Sequence, residues 1–449
     1  MKAGLRALNL ELALLIGLIV FSFIVRIIHV NFPPYFTFDE IYRVGRAEKF
    51  LNGEVFFTAH PHFGRYLIIL GILVFGDNPF GWRMTQVICG TLLIPVSYLI
   101  AKKIFKYKYA GLLTAFFVAL DNSYLVYSRI GVVTIYQIFF MALSLLFFIL
   151  SIEKDCKYPK SYWFLSAITV GLTIAIKWTG LALLPILWLY TKTKENIKDT
   201  VAQRLSYKIL FVTIVMLTYL LTFAGEGKNY EYLHRKYGID NRNFLCSIIS
   251  WHKLAFNVHA KKEGFHPSSS KWYTWPVLYK PVLIYWKYNT LKGQLTSIFS
   301  LGNPVIRWGG LVALLFQLFL LYFKRNKTMI FLVGSYLIAF LPFVFIKRPM
   351  FLYHYLPSFF FLILILEYTV ATLYQNKATL RPILISMLCL TVGMFFYFYP
   401  MTNGYPLSVS EYNKRLWFDS WKKYEISSST EAFIKVKPTG EMLTTPNSN

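Results

Sequence analysis

Eleven stretches of this sequence are apolar for long enough, or nearly long enough, to cross a lipid bilayer, and that repetition constrains the fold more than any motif does. They fall at 10–30, 83–101, 109–122, 132–152, 162–176, 178–191, 208–224, 305–323, 328–346, 351–374 and 382–400. A spanning helix needs roughly 20 mostly apolar residues. Backbone inside hydrocarbon must satisfy its own hydrogen bonds, so such windows read as helices. The expected fold class is an all-α polytopic membrane protein with about 11 transmembrane helices.

The formal charge of +26 would point to nucleic acid in a soluble domain. Here the cations sit in short clusters between apolar windows: Lys102, Lys103, Lys106 and Lys108; Lys154, Lys157 and Lys160; Lys192, Lys194, Lys198, Arg204 and Lys208; Lys324, Arg325 and Lys327; Lys377 and Arg381. Membrane lipids with anionic head groups are the expected partners, and nucleic acid is not. By the positive-inside rule these connections are cytoplasmic, with the N-terminus inside and the C-terminus outside. The outer set is then 31–82, 121–129, the turn at Lys177, 225–304, 347–349 and 401–449. Asp39, Glu40, Arg129, Lys177 and Arg348 therefore gather at one membrane face. The chain divides into an N-terminal transmembrane half, 1–224, carrying the first outer loop 31–82; an outer loop, 225–304; C-terminal helices, 305–400; and an outer tail, 401–449.

Lys2 and Arg6 ahead of the first window give the charge order of a signal peptide. The apolar run is too long and lacks a small-residue cleavage site, so an uncleaved first span is expected. Cys89, Cys156, Cys246 and Cys389 fall in four separate segments without CxxC spacing, which predicts neither a disulfide framework nor a metal site.

The first outer loop contains FDEIYRVGRAEKFLNGEVFFTAHPHFGR. Residues 40–52 have helical spacing, with Ile41, Val44, Ala47 and Leu51 on one side and Arg43, Arg46 and Lys49 elsewhere, which predicts a helix lying in the interface. His60-Pro61-His62 breaks it, and 63–75 is an apolar piece too short to span. Adjacent Asp39 and Glu40 at a membrane edge are candidates for general-base chemistry. Asp39 also precedes the predicted helix as an N-cap would, and the residues alone leave both readings open. Arg129, in DNSYLVYSRI, fits a phosphate clamp or an arginine snorkelling to lipid phosphates. Lys177, in IKWTGL, interrupts an apolar stretch and calls for an anionic partner or for head groups.

His60, His62, His259, His266 and His354 lack metal-ligand spacing, so no metal site is expected; a divalent ion held by Asp39 and Glu40 through a substrate phosphate is possible chemistry that nothing requires. No phosphate-cradling glycine loop is present, so a soluble nucleotide is not expected as direct donor. The loop 225–304, with HPSSSKWYTWPVLYKPV, is dense in Trp, Tyr and His and predicts a structured surface at the interface.

Taken in order, these segments resemble the protein O-mannosyltransferase family, the polyprenyl-phosphate-mannose-dependent membrane glycosyltransferases of the C fold. The first-loop block, DNSYLVYSRI, IKWTGL, SKWYTWP, SLGNPVIRWGG and RPMFLYHYLP each look like a family block, and their joint order covers nearly the whole chain. The resemblance implies that Asp39, supported by Glu40, deprotonates a Ser or Thr hydroxyl of an acceptor protein. It implies that Arg129 binds the phosphate of the lipid-linked sugar in an inverting single displacement, without a cofactor. Lys177 and Arg65 are grouped with Arg129 on the phosphate side. His60, Trp272, Trp275, Arg348 and His354 are expected around the substrate. Asp39 and Arg129 must then open onto one shared cavity.

Three departures stand out. Val132, Val133 and Thr134 replace the family's Leu-Leu-Asp; His-Pro-His-Phe-Gly-Arg replaces His-Pro-Pro-Leu-Gly-Lys; and 225–304 is too short for the β-trefoil of the eukaryotic enzymes. The resemblance is thus to a bacterial-type member, in an inner membrane with its site on the outer face. Two other readings remain: a C-fold transferase acting on a glycolipid such as lipid A, and a transporter or flippase, whose paired halves and broken helices this sequence does not show.

Overall fold

The computed structural model describes residues 2–194, 205–260, 266, 268–422, 425–426 and 434–435. Lys198 and Arg204 of one basic connection, and most of the predicted tail beyond 422, lie outside the described residues.

All eleven apolar windows form helices. In chain order the helices are α1 (Lys2–Ile27), α2 (Glu40–Leu51), α3 (Phe63–Phe75), α4 (Pro79–Ile104), α5 (Ala110–Ala119), α6 (Asn122–Tyr127), α7 (Thr134–Ser151), α8 (Pro159–Ile176), α9 (Leu183–Thr193), α10 (Leu205–Leu221), α11 (Gly227–Tyr237), α12 (Phe244–Ala260), α13 (Pro304–Phe323), α14 (Lys327–Phe340), α15 (Leu356–Asn376), α16 (Arg381–Asn403) and α17 (Val409–Lys414). Among the described residues eight helical segments are long and apolar enough to cross a membrane. The windows at 109–122, 162–176 and 178–191 give helices that fall outside that set. α5 and α9 have only 10 and 11 residues, and α8, with 18, starts on the polar Pro-Lys-Ser. At 1.5 Å per residue, α5 covers about 15 Å, half a hydrocarbon core.

α4, α7 and α15 form the centre of the bundle and are buried along most of their length, whereas α1, α10 and α16 present most of their surface outward. Local sequence explains where helices begin. Asn78 caps α4 by accepting from the Phe80 and Gly81 N–H groups, and Pro79 occupies the first turn, where its missing N–H costs nothing.

The loop 225–304 holds more regular structure than its aromatic density predicts. After α11 and α12 come two antiparallel strands, β1 (Val282–Asn289) and β2 (Gln294–Ser300), and a strand from the tail, β3 (Pro406–Ser408), pairs with β2. Helices dominate, and this small sheet, with a two-stranded pairing of Glu425–Ile426 and Ile434–Lys435, is the addition to the expected class. The near part of the tail folds back: Trp421 is buried, and its indole N–H donates to the Leu278 carbonyl at 2.7 Å.

Two family blocks meet inside the bundle. The Asp121 carboxylate accepts from the Ser123 and Tyr124 N–H groups at the start of α6 and from the Asn303 N–H before α13. Arg307 lies 3.8 Å from the same carboxylate, donates to the Ser123 hydroxyl and sits 3.8 Å over the Phe359 ring. This buried clasp joins the two halves of the chain.

Candidate functional site

The site is built on the start of α2, whose residues sort by helical period onto two faces. Asp39, Tyr42, Arg43 and Arg46, at i, i+3, i+4 and i+7, line a cavity of about 550 Å³. Glu40, Val44 and Ala47 turn into the core. The predicted apolar side of this helix is therefore only half right: Val44 and Ala47 are buried, but Ile41 and Leu51 are exposed.

Asp39 and Glu40, adjacent in sequence, have unrelated surroundings. The Glu40 carboxylate is fully buried and binds Arg83 through both oxygens, at 2.8 Å to Nε and 2.8 Å to Nη2. It also accepts from the Thr37 N–H at 3.0 Å and the Gly131 N–H at 2.5 Å. Gly131 is required for that approach, since a Cβ there would lie 2.7 Å from Val44 Cγ2 and 3.2 Å from Glu40 Oε1. Glu40 thus anchors the helix and does not face the cavity. Asp39 occupies the N-cap position, yet its side chain makes no capping bond. Its half-buried carboxylate has no hydrogen-bond or ion-pair partner among the described residues, and it lines the cavity. A carboxylate at an N-cap that leaves the backbone donors alone is free to accept a proton from something else.

Around Asp39 the cavity is cationic. Arg43, Arg46, Lys177 and Arg348 all line it. Lys177 lies in the extended turn between α8 and the 3₁₀ segment Trp178–Ala182, with its ammonium 5.0 Å over the Tyr353 ring. Burial pushes Lys177 down to about 7, the neighbouring Arg43 and Arg348 push the same way, and Asp39 opposes them. The His60 imidazole, at the cavity wall, is held well below its usual range by burial and then by Arg43, His259, Lys177 and Arg348. His60 is therefore neutral at ordinary pH and adds no further charge. The remaining walls are mostly aromatic, including Phe38, Phe57, Phe351 and Tyr353, with Val132, Val133 and Thr134 at the start of α7. The Tyr353 ring stands edge-on to Phe38 at 6.0 Å and stacks on His354 at 4.3 Å.

Of the residues singled out in the sequence, Asp39, His60, Lys177, Arg348 and His354 converge on this cavity. Arg129 does not. It is buried and spent on structure, donating from Nε to the Arg26 carbonyl at 3.0 Å, from Nη2 to the Ile28 carbonyl at 2.8 Å and from Nη1 to the Asn403 side chain. The shared cavity expected of Asp39 and Arg129 is replaced by one shared with other cations. Arg65 is also elsewhere, buried against Glu226, whose carboxylate further accepts from Tyr66 at 3.0 Å and Asn229 at 2.7 Å. That cluster ties α3 to the start of α11. Trp272 packs on Phe340, and the buried Trp275 lies 6.2 Å from the His354 ring, roughly parallel to it, so both stand behind the wall rather than in it.

Arg43, Arg46, Tyr42 and His259 were missed. For Arg43 and Arg46 a signal existed, because i+4 and i+7 from Asp39 fall on one helix face. For His259, weighed in the sequence only for metal-ligand spacing, none did. Among the described residues no group of three or more His, Cys, Asp or Glu side chains is arranged to hold a metal ion.

Two family models match the chain. Residues 16–228 match one described as Dolichyl-phosphate-mannose-protein mannosyltransferase, and residues 244–421 match the C-terminal four TMM region of protein-O-mannosyltransferase. The sequence is 22% identical over 425 residues to the polyprenol-phosphate-mannose–protein mannosyltransferase of Mycolicibacterium smegmatis, covering 81% of this chain and 82% of the relative. In fold it is similar to the Saccharomyces cerevisiae protein O-mannosyltransferase Pmt1-Pmt2 complex bound to the sugar donor, with a TM-score of 0.79, 14% identity and 92% of each chain covered. It is less similar to apo ArnT from Cupriavidus metallidurans, with a TM-score of 0.57, 14% identity and 90% and 77% covered. At such identities the likeness speaks for the fold, which is that of the C-fold glycosyltransferases.

Proposed function

This chain belongs to the protein O-mannosyltransferase family, and on that premise we propose that it transfers mannose, or a related hexose, from a polyprenyl-phosphate carrier to Ser or Thr hydroxyls of acceptor proteins. The observation that carries the residue-level reading is the unpartnered Asp39 carboxylate opening onto a cavity lined by Arg43, Lys177 and Arg348.

Asp39 removes the proton from the acceptor hydroxyl as its oxygen attacks the anomeric carbon. The bond from that carbon to the phosphate oxygen breaks, and its electron pair leaves with polyprenyl phosphate. One displacement inverts the anomeric centre, with no glycosyl-enzyme intermediate. Arg43, Lys177 and Arg348 take the phosphate-side role, since fixed cations stabilise the charge that builds on the departing group. Arg129 acts at a distance by holding the ends of α1 and α16 together. Glu40 supports the base mechanically, through its grip on Arg83 and Gly131. The step needs no cofactor, because these side chains supply both the proton acceptor and the positive charge.

The protein is an integral membrane protein. The distribution of basic connections supports a bacterial inner-membrane placement with the cavity on the outer face.

The test is transfer from polyprenyl-phosphate-mannose to Ser/Thr-rich peptides by the purified chain and by Asp39→Asn. Turnover should fall at least ~10²-fold with donor binding retained, because a positioned base is worth that much. Equal turnover in the Asn variant removes Asp39 from the reaction.

A further inference from the structure

The cavity wall includes one side chain whose contacts fix both its protonation and its task. His259, near the end of α12, lies with Nε2 2.9 Å from the Ala59 carbonyl oxygen and Nδ1 2.9 Å from Arg348 Nη1. A carbonyl only accepts, so Nε2 carries the hydrogen. A guanidinium only donates, so Nδ1 is bare. The two contacts together admit the neutral Nε2–H tautomer and no other form, since an imidazolium would set N–H against N–H. The ring is held in place by His60, 5.0 Å away, and by Trp178, 5.9 Å away and nearly perpendicular.

Arg348 depends on this partner. It sits in the turn between the 3₁₀ segments Leu341–Phe345 and Leu352–Tyr355, next to the exposed Lys347 and to Pro349. Among the described residues its guanidinium has one hydrogen bond, the one to His259. A long side chain on a turn samples many rotamers unless something holds it. The chain Ala59–His259–Arg348 joins the loop 31–82, the loop 225–304 and the turn before α15, which are far apart in sequence and meet at this wall.

We infer that His259 is a positioning residue for the donor end of the reaction, holding the Arg348 guanidinium at the cavity wall so that affinity for a polyprenyl phosphate depends on the neutral imidazole. This rests on the reading that the cavity takes a polyprenyl-phosphate-linked sugar. His259 touches no reacting atom in this scheme; it acts through Arg348.

The experiment uses the full chain in detergent, measuring binding of a polyprenyl monophosphate together with steady-state transfer from polyprenyl-phosphate-mannose. His259→Ala should weaken binding and raise the donor KM about tenfold, with kcat changed less than about threefold, the pattern of a lost ground-state contact. Arg348→Ala should weaken phosphate binding at least as much and also lower kcat, since its charge serves the departing phosphate, and the double variant should bind no more weakly than Arg348→Ala within about twofold, because the two side chains act as one unit. His259→Gln should restore binding, since a primary amide again offers a donor and an acceptor. Should His259→Ala not fold, His259→Leu, bulky and without an acceptor, replaces it with the same expectations. Unchanged phosphate affinity in the Ala variant, or additive losses in the double variant, overturns this inference alone. Absence of both binding and transfer in the unsubstituted protein overturns the parent reading and this inference with it.

Discussion

Replacing the two adjacent carboxylates one at a time by their amides should separate folding from chemistry. In Glu40→Gln the amide nitrogen takes the place of one oxygen. On the Oε2 side it faces Arg83 Nη2 and the Thr37 N–H; on the Oε1 side it faces Arg83 Nε and the Gly131 N–H. Either way two donors confront a donor, and Arg83 is left buried without its counter-charge. Two lost hydrogen bonds to a charged group at about 1.5–3 kcal/mol each agree with the ~3–5 kcal/mol measured when one partner of a buried pair is removed. Asp39→Asn, with no partner to lose, should leave stability within about 0.5 kcal/mol. The assay is unfolding of the purified proteins in detergent, by heat and by denaturant, beside peptide mannosylation. A Glu40→Gln protein as stable as the unsubstituted chain refutes the anchoring role, and a clear loss of stability in Asp39→Asn refutes the claim that its carboxylate is unengaged.

Three further outcomes are expected. Arg129→Met should lower the unfolding midpoint while changing donor affinity less than about threefold, because its hydrogen bonds go to backbone and Asn403 rather than to the cavity; titration with a polyprenyl monophosphate checks it. With Lys177 pushed down to about 7, its ammonium is lost as pH rises through that value, so donor affinity should fall between pH 6 and 9, whereas Lys177→Arg should stay flat. Stability should move the other way, since the unfolded lysine keeps its proton to about 10.4 and the unfolded state therefore binds more protons between the two values, making stability rise with pH there. Asp121→Ala should cost ~3 kcal/mol by stranding Arg307, read by thermal unfolding, with the donor KM unchanged.

The helices were legible because lipid imposes a length and a composition on them, and every apolar window became helical. Which were long enough to span was less so: the break at Leu120 and Asp121 between α5 and α6 lies inside a stretch that reads as continuous. Asp39, singled out in the sequence, does line the cavity, but its separation from Glu40 was not visible. Neighbours at the start of a helix point about 100° apart, and no pattern says which faces inward. Arg129 misled for a different reason, since an arginine at a helix end looks the same whether it binds a phosphate or three main-chain and amide oxygens. The hairpin left traces in the β-prone run at 282–289 and in Gly293 at φ 58°, which the aromatic density of the loop obscured.

The pairing of β3 with β2 limits how far the chain can be shortened from its C-terminal side. A polypeptide cut before Pro406 would leave one margin of β2 bare, with its main-chain donors and acceptors unpaired. Bare margins recruit any extended segment nearby, so such shortened proteins would stick to one another in a membrane crowded with copies while the cavity around Asp39 stayed intact.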